Sequence, residues 1–401
     1  MAWKAHLDSI IAQQTSEVVA LRRHLHAHPE PSDEELKTSL HLYQLLEKLG
    51  AEVRMGPEGC GVLADRKSSE ATNCVAMRGD IDALRIHDEK EVDYRSTCDG
   101  LMHACGHDAH AAMVYGAFSA LLALEESGQA PWPLSWRAIF QPSEETATGA
   151  VRMIEAGALE GVDAIVGLHV DPTRRTGEIG LRAGAMTANC DMLQLKVRGQ
   201  GGHAARPHES KDPIAAAAQL ISTLYQFVPR ATDSLDAVVL TIGQVRGGEN
   251  PNVIPDAVDL WGTMRTLDIE VRSRTIEQIR LVARGVEEIT GTQIEVAFHV
   301  SIPSVYNDAE LARLIWREAE EVVGSEHVQS IARPSMGSED FARYLDRVPG
   351  AMFRLGCSND LATAAGLHTP MFDIDEAALE IGTRTLARTV VAACGREFTD
   401  E

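Results

Sequence analysis

A chain of 401 residues is long for one compact core and points to two domains. Apolar residues at 44% and charged residues at 24% are globular proportions, which excludes a fibrous or disordered chain. Acidic side chains outnumber basic ones 59 to 37, a formal net charge of −22, and such a surface repels nucleic acid and anionic lipid.

The opening MAWKAHLDSI has no basic stretch leading into an apolar core, and no uncharged apolar run approaches the ~18 residues that span a bilayer, so a cytoplasmic protein is expected. Its seven cysteines (Cys60, Cys74, Cys98, Cys105, Cys190, Cys357 and Cys394) are odd in number, scattered and free of any CxxC pair, which fits a reducing compartment.

The run HLDSIIAQQTSEVVALRRHLHAHPE repeats apolar positions at helical spacing and stops at Pro29. A second helix is predicted over SDEELKTSLHLYQLLEKLG, with Ser32 as its cap and Gly50 at its end. GVLADRK and CVAMRGD then read as strands, and RGDIDAL places Asp80 and Asp82 just beyond the second, where α/β folds carry functional residues. Next comes HACGHDAH, residues 103–110, in which Cys105 and His107 converge if the backbone turns sharply at Gly106. Thiolate and imidazole both suit zinc and similar metals. Taken by itself the segment leaves three readings open: a metal site, a thiol nucleophile with its base, or a hydrogen-bonded histidine near a helix start. A helix over 109–126 follows, with Asp108 placed to cap it.

The strand LSWRAIFQ runs into QPSEET, where Glu144 and Glu145 are adjacent, and like charges side by side need a cation or a proton to coexist. After a helix over TGAVRMIEAGAL, the strand DAIVGLHV buries His169, where an unpaired imidazole is costly. Strands alternating with helices predict an α/β layered sheet. The character changes near Met186. DMLQLKVRG, an Ala-rich helix from Asp212 and Pro213, the strands DAVVLTIGQVRG and AVDLWGTMRT, a helix over 268–289 and TQIEVAFHV give the order β-α-β-β-α-β of a ferredoxin-like unit. Residues 186–300 are therefore expected to be a domain inserted into a discontinuous one made of 1–185 and 301–401. Within the insert, His203 follows the Gly199–Gly202 loop, Asn252 precedes Val-Ile-Pro and Arg265 lies on a strand; each also suits an ordinary loop, turn or surface role. Beyond Pro303 come Glu339 in MGSEDFA, where Ser338 or Asp340 can cap the next helix, His368 in GLHTP, and a closing helix over 375–396.

The motifs LHAHPE, RGDIDAL, LMHACGHDAH, FQPSEE, GLHV, GQGGHAARPH, NVIPD, GTMRT, MGSEDFA and LHTP occur in the order of one family. Over nearly its whole length the chain resembles the M20 metallopeptidases and amidohydrolases, in the branch of hippurate hydrolases, N-acyl-amino-acid deacylases and auxin-conjugate hydrolases. The resemblance implies an α/β fold: a mixed-sheet, three-layer, zinc-peptidase-like catalytic domain carrying a ferredoxin-like lid and dimerisation domain. It implies that Cys105, His107, Glu145, His169 and His368 bind two divalent metals (zinc, manganese, cobalt or nickel), with Cys105 bridging as a thiolate. Glu144 would be the general base, Asp82 would orient a ligand histidine or help set the base, and His203 would donate to the oxyanion. Asn252, Arg265 and Glu339 would contact substrate, Arg265 through a fork suited to a free carboxylate.

Such a site activates water with metal and moves its proton through a glutamate. The implied substrate is an N-acyl amino acid, with a dipeptidase or carboxypeptidase, or a non-catalytic metal-binding relative, as the alternatives, and the implied assembly is a homodimer. A redox role for Cys105 needs a resolving cysteine, and none lies near it in sequence. Two departures from the branch are Pro31 and Asp33 in HPEPSDEE and Arg85 after RGDIDAL; neither falls on an implied metal ligand.

Overall fold

The computed structural model describes residues 2–396. The chain opens with α1 (Ala2–Ala27), α2 (Leu36–Lys48), β1 (Glu52–Met55), β2 (Val62–Arg66), β3 (Cys74–Asp80), α3 (His107–Glu126) and β4 (Ser135–Gln141). It continues with α4 (Gly149–Glu155), β5 (Ala164–Arg175), β6 (Ile179–Leu181) and β7 (Gly184–Ala185). Then follow β8 (Asn189–Arg198), β9 (Gly202–His203), α5 (Pro213–Ala231), β10 (Val238–Arg246), β11 (Val253–Ile254), β12 (Ala257–Thr266), α6 (Ile269–Thr290) and β13 (Gln293–Ile302). The last elements are β14 (Tyr306–Asn307), α7 (Ala309–Val323), β15 (Val328–Ser330), α8 (Ala342–Leu345), β16 (Gly350–Ser358) and α9 (Ala377–Cys394).

Two compact units result. The first takes the chain up to Gly184, Val305–Ala332, and what is described from Asp340 onward; the second is Ala185–Ser304 together with Arg333–Glu339. The segment 186–300, expected as an insert, lies within the second unit, which also claims 301–304 and, from much later in the chain, the seven-residue stretch ending at Glu339.

In the first unit an eight-stranded mixed sheet runs in the order β1-β2-β4-β3-β5-β16-β6-β15. Its centre is parallel: β3 pairs with β4 and β5, and β5 with β16. Every residue of CVAMRGD and of SWRAIFQ is buried, the pattern of parallel strands covered on both faces. Helix α3 is buried on nearly every side because it runs between α1 and α9 and against β3. Small residues make this approach feasible: a Cβ on Gly116 would stand 2.6 Å from Val18 Cγ2 and 3.2 Å from Thr383 Cγ2.

The second unit carries an antiparallel sheet in the order β10-β12-β8-β13, packed against α5 and α6 over its own apolar core. Numbered in chain order within that sheet, the strands run 2-3-1-4, the ferredoxin-like arrangement read from the sequence. Asp212 caps α5 through the N–H groups of Ile214 and Ala215, as its place before Pro213 suggests.

Two expected caps in the first unit are corrected. Helix α2 begins at Leu36, not after Ser32, and the Ser32 hydroxyl donates instead to Asp82 Oδ2 at 2.8 Å. Helix α3 begins at His107 after Gly106, and Asp108, rather than capping it, accepts from Arg22 Nε at 2.8 Å and pairs with His26 Nδ1 at 2.7 Å. In both cases a distant partner competes successfully with the local backbone for the side chain.

Candidate metal centre

Parallel strands β3, β4 and β5 end at the same edge of the sheet, and that edge carries the chemistry. Past β3 stands Asp82; past β4 stand Glu144 and Glu145; His169 lies within β5; α3 opens with His107, two residues after Cys105. Gly106 makes the junction feasible. Its φ is 90°, and a Cβ there would lie 2.4 Å from Val170 Cγ2 on β5. His368 comes in from the late loop in the left-handed region (φ 61°), its N–H donating to Ala104 O at 2.8 Å.

The side chains converge. Cys105 Sγ is 3.6 Å from His169 Nε2 and 3.3 Å from His368 Nε2. Glu145 Oε1 is 3.3 Å from His368 Nε2 and 4.0 Å from His107 Nε2. Cys105, His107 and His169 are buried, while His368 faces outward. The ligating atoms of Cys105, His107 and His169, those of Cys105, Glu145 and His368, and those of His107, Glu144 and Glu145 each fall within 4.8 Å of one another. Among the described residues His107 Nε2 is buried with no hydrogen-bond partner, 4.0 Å from Glu145 Oε1, a costly state unless a cation sits between them. Thiol, imidazole and carboxylate together are a donor set for a borderline divalent metal, so these residues fit the cofactor.

The surroundings prepare each donor. His107 Nδ1 lies 2.9 Å from the main-chain O of Asp82 and 3.0 Å from its Oδ1. Asp82 Oδ2 accepts from Glu145 N at 3.0 Å, so one aspartate ties the histidine and the glutamate together. Against its own burial, the hydrogen bond and charge of His107 hold the Asp82 carboxyl below its usual range. His169 Nδ1 is bound to Val170 O at 2.7 Å, which leaves Nε2 as the lone-pair nitrogen, and burial, then Arg354 and His110, keep the ring neutral. Burial pushes the Cys105 thiol up, opposed by His107, so it is no ready nucleophile and needs a cation to ionise. His368 is raised by its bond to Glu145. Glu144 Oε1 accepts from Asp340 N at 3.4 Å, and Asp340 is itself buried against Arg78 and Gln141.

Two buried residues that lie within the quoted motifs but were given no role by the resemblance join the cluster. His110 Nδ1 pairs with Asp80 Oδ1 at 2.6 Å and its Nε2 accepts from Val170 N at 2.9 Å; Asp80 Oδ2 stands 3.6 Å from His107 Nε2. The signals were present, with His110 one helical turn after His107 and Asp80 two residues before Asp82.

Seven of the residues singled out in the sequence thus meet in the first unit: Asp82, Cys105, His107, Glu144, Glu145, His169 and His368. The other four belong to the second. There His203 pairs with Val253 across β9 and β11, Asn252 O accepts from Ala204 N at 3.1 Å, and Arg265 Nη1 donates to Met336 O at 2.7 Å. Glu339 ends the late segment of that unit.

The sequence matches the profile of peptidase family M20/M25/M40 over residues 76–392. It is 40% identical over 372 residues to a probable hydrolase of Synechocystis sp., covering 92% of this chain and 94% of that protein. It is 37% identical over 363 residues to the N-acetyl-L-cysteine deacetylase of Bacillus subtilis, covering 90% and 85%. Among solved structures, the Bacillus subtilis YXEP protein, described as a dinuclear metal binding peptidase from the M20 family, is similar with a TM-score of 0.82 at 34% identity, over 96% of this chain and 99% of that one.

Proposed function

Because the chain belongs to peptidase family M20/M25/M40, a family of metal-dependent hydrolases, we propose that it cleaves the acyl–nitrogen bond of N-acyl amino acids with two divalent metals as cofactors. The observation that carries this reading is the gathering of Cys105 Sγ, the Nε2 atoms of His107, His169 and His368, and Glu145 Oε1 beside a second glutamate, Glu144. In this reading those five residues hold the metals. Bound there, two dications supply Lewis acidity toward the amide carbonyl and acidify water.

The chain's own residues do the rest. Glu144 takes a proton from the attacking water and returns it to the leaving amine nitrogen. Asp82 holds the His107 ring with its proton on Nδ1 and orients the Glu145 backbone. His203 and Asn252 donate to the developing oxyanion and Arg265 receives the free carboxylate, supplying local positive charge in a chain whose net charge is −22. Glu339 lines the pocket. Loss of Glu144 would have favoured a non-catalytic relative; its presence favours the enzyme.

The second unit serves as lid and dimerisation domain in this reading. Strand β10 is the outer strand of its sheet and exposes Val239 and Val245, an unpaired apolar edge that a second copy can cover. No helix of the described residues is long and apolar enough to cross a membrane. A dipeptidase or carboxypeptidase would use the same residues, since a dipeptide differs from an acyl amino acid only on the acyl side.

The deciding experiment is a hydrolysis panel of N-acetyl and N-benzoyl amino acids and dipeptides on protein reconstituted with zinc, manganese, cobalt or nickel. Turnover of the acyl amino acids above the dipeptides is expected. The reverse order makes it a peptidase, and no turnover of any substrate with metal bound removes the catalytic reading.

A further inference from the structure

The segment Pro31–Glu35, where the chain departs from its branch, lies against the turn that carries both glutamates. Pro31 bridges Ala83, and Ser32 Oγ donates to Asp82 Oδ2 at 2.8 Å. Asp33 N donates to Ser143 Oγ at 3.0 Å, and that hydroxyl donates back to Asp33 Oδ1 at 3.0 Å. Glu35 Oε1 accepts the main-chain N–H of Ser143 at 2.8 Å and lies 3.3 Å from its Oγ.

Three features single out Glu35. It occupies the cap position of α2 yet makes no capping bond, so its carboxyl is turned away from the helix it precedes. It is fully buried, with Oε2 unpartnered, which is an expensive place for a carboxyl that only fills space. And the residue it grips, Ser143, adopts φ 56° immediately before Glu144, with Ala147 at φ 58° beyond Glu145. A left-handed serine persists only where its surroundings over-determine it, and Glu35 and Asp33 supply the determination.

Resting on the function proposed above, we propose that Glu35 is a positioning residue for the reaction: by accepting the Ser143 N–H it fixes the left-handed turn that aims Glu144 and Glu145. It touches neither substrate nor metal. Removing its acceptor lets the 143–147 turn relax to ordinary backbone angles, which rotates Glu144 and Glu145 together. Turnover and metal affinity then suffer while substrate binding does not.

The test compares Glu35→Met, which keeps the volume and removes the acceptor, with Glu35→Gln, which keeps an acceptor oxygen. Each is measured for kcat, for KM, and by competition with a chelator for the affinity of the metal-free protein for zinc. Glu35→Met is expected to lose roughly tenfold or more in kcat, with KM within about twofold and zinc affinity about tenfold weaker; Glu35→Gln should stay within about threefold of the parent. A Glu35→Met protein matching the parent in both kcat and zinc affinity, or a Gln variant as impaired as the Met variant, overturns the proposal. Should Glu35→Met fail to fold, Glu35→Asp, which draws the carboxylate back from the Ser143 N–H by one methylene, is expected to lower kcat several-fold at constant KM and to weaken zinc binding; parental kcat and zinc affinity in that variant overturn it equally. If the parent itself hydrolyses no acyl amino acid, the functional reading fails while the zinc-affinity series still tests Glu35.

Discussion

His107 and Asp82 are joined twice, the ring Nδ1 lying within hydrogen-bond reach of both the main-chain oxygen (2.9 Å) and Oδ1 (3.0 Å) of that one aspartate. Both partners are acceptors, so Nδ1 carries a proton, and Nε2 is the nitrogen that faces Glu145 and would give its lone pair to a cation there. Asp82→Ala is therefore expected to weaken zinc binding by about 10- to 100-fold, read by competition with a chelator of known affinity. Undiminished affinity would show that the ring needs no such support.

Glu144→Gln should abolish proton transfer while leaving the donor cluster whole. The expected loss in kcat is about 10²- to 10⁴-fold, with two equivalents of metal retained by elemental analysis. Parental turnover in this variant would move the role of base elsewhere.

Burial first, and then the charge of Asp82, push the Glu35 carboxyl up to about 7, against the hydrogen bonds from Ser143 that favour its ionised form. Between its ordinary value and about 7 the folded chain holds a proton that the unfolded chain has released. Stability from this group is thus fully present at pH 4 and lost as the pH rises toward 7. Glu35→Gln removes that titration, so the variant should gain on the parent by up to about 3 kcal/mol between pH 5 and pH 8 in urea unfolding. A stability difference independent of pH across that window would contradict this.

Arg22 is wholly buried, with Nε 2.8 Å from Asp108 and Nη2 2.7 Å from Asp373. Arg22→Ala takes the guanidinium from the buried Asp108 carboxylate in the first turn of α3 and leaves it the His26 ring. A loss of about 3–5 kcal/mol is expected, measured by denaturant unfolding of the metal-free chain. A loss under about 1 kcal/mol would mean that water reaches the site.

Among the described residues Arg265 donates to Met336 O through Nη1, and the other N–H groups of its fork are in place for a ligand. Arg265→Ala should raise KM about tenfold or more for substrates with a free carboxylate and leave their C-terminal amides unchanged. Equal effects on acid and amide would rule out that contact.

Much of the architecture was legible because it is written in short periods. Helical spacing in the first thirty residues, apolar-rich runs at β3 and β4 and polar alternation at β8 each report burial within a few residues of chain, and burial is what sets the element. The ligating segments were legible for a related reason: thiol, imidazole and paired carboxylates at strand ends and in tight turns are costly to keep without a cation or a partner.

What the linear chain could not reveal is which partner each polar group chooses. Ser32 reads as a cap and Asp108 as another, but their bonds go to Asp82, 50 residues away, and Arg22, 86 residues away. The left-handed Ser143 and His368 carry no glycine to announce them, and Arg333–Glu339 joins the second unit across an intervening stretch of the first. By itself the sequence determined where backbone hydrogen bonds and apolar faces would form, because those depend on neighbours within a turn or a strand. The tertiary structure alone decided that Asp82 grips both His107 and Glu145 and that Glu35 faces Ser143, because hydrogen bonds reach only about 3 Å and chain folding, not chain order, brings such groups within range.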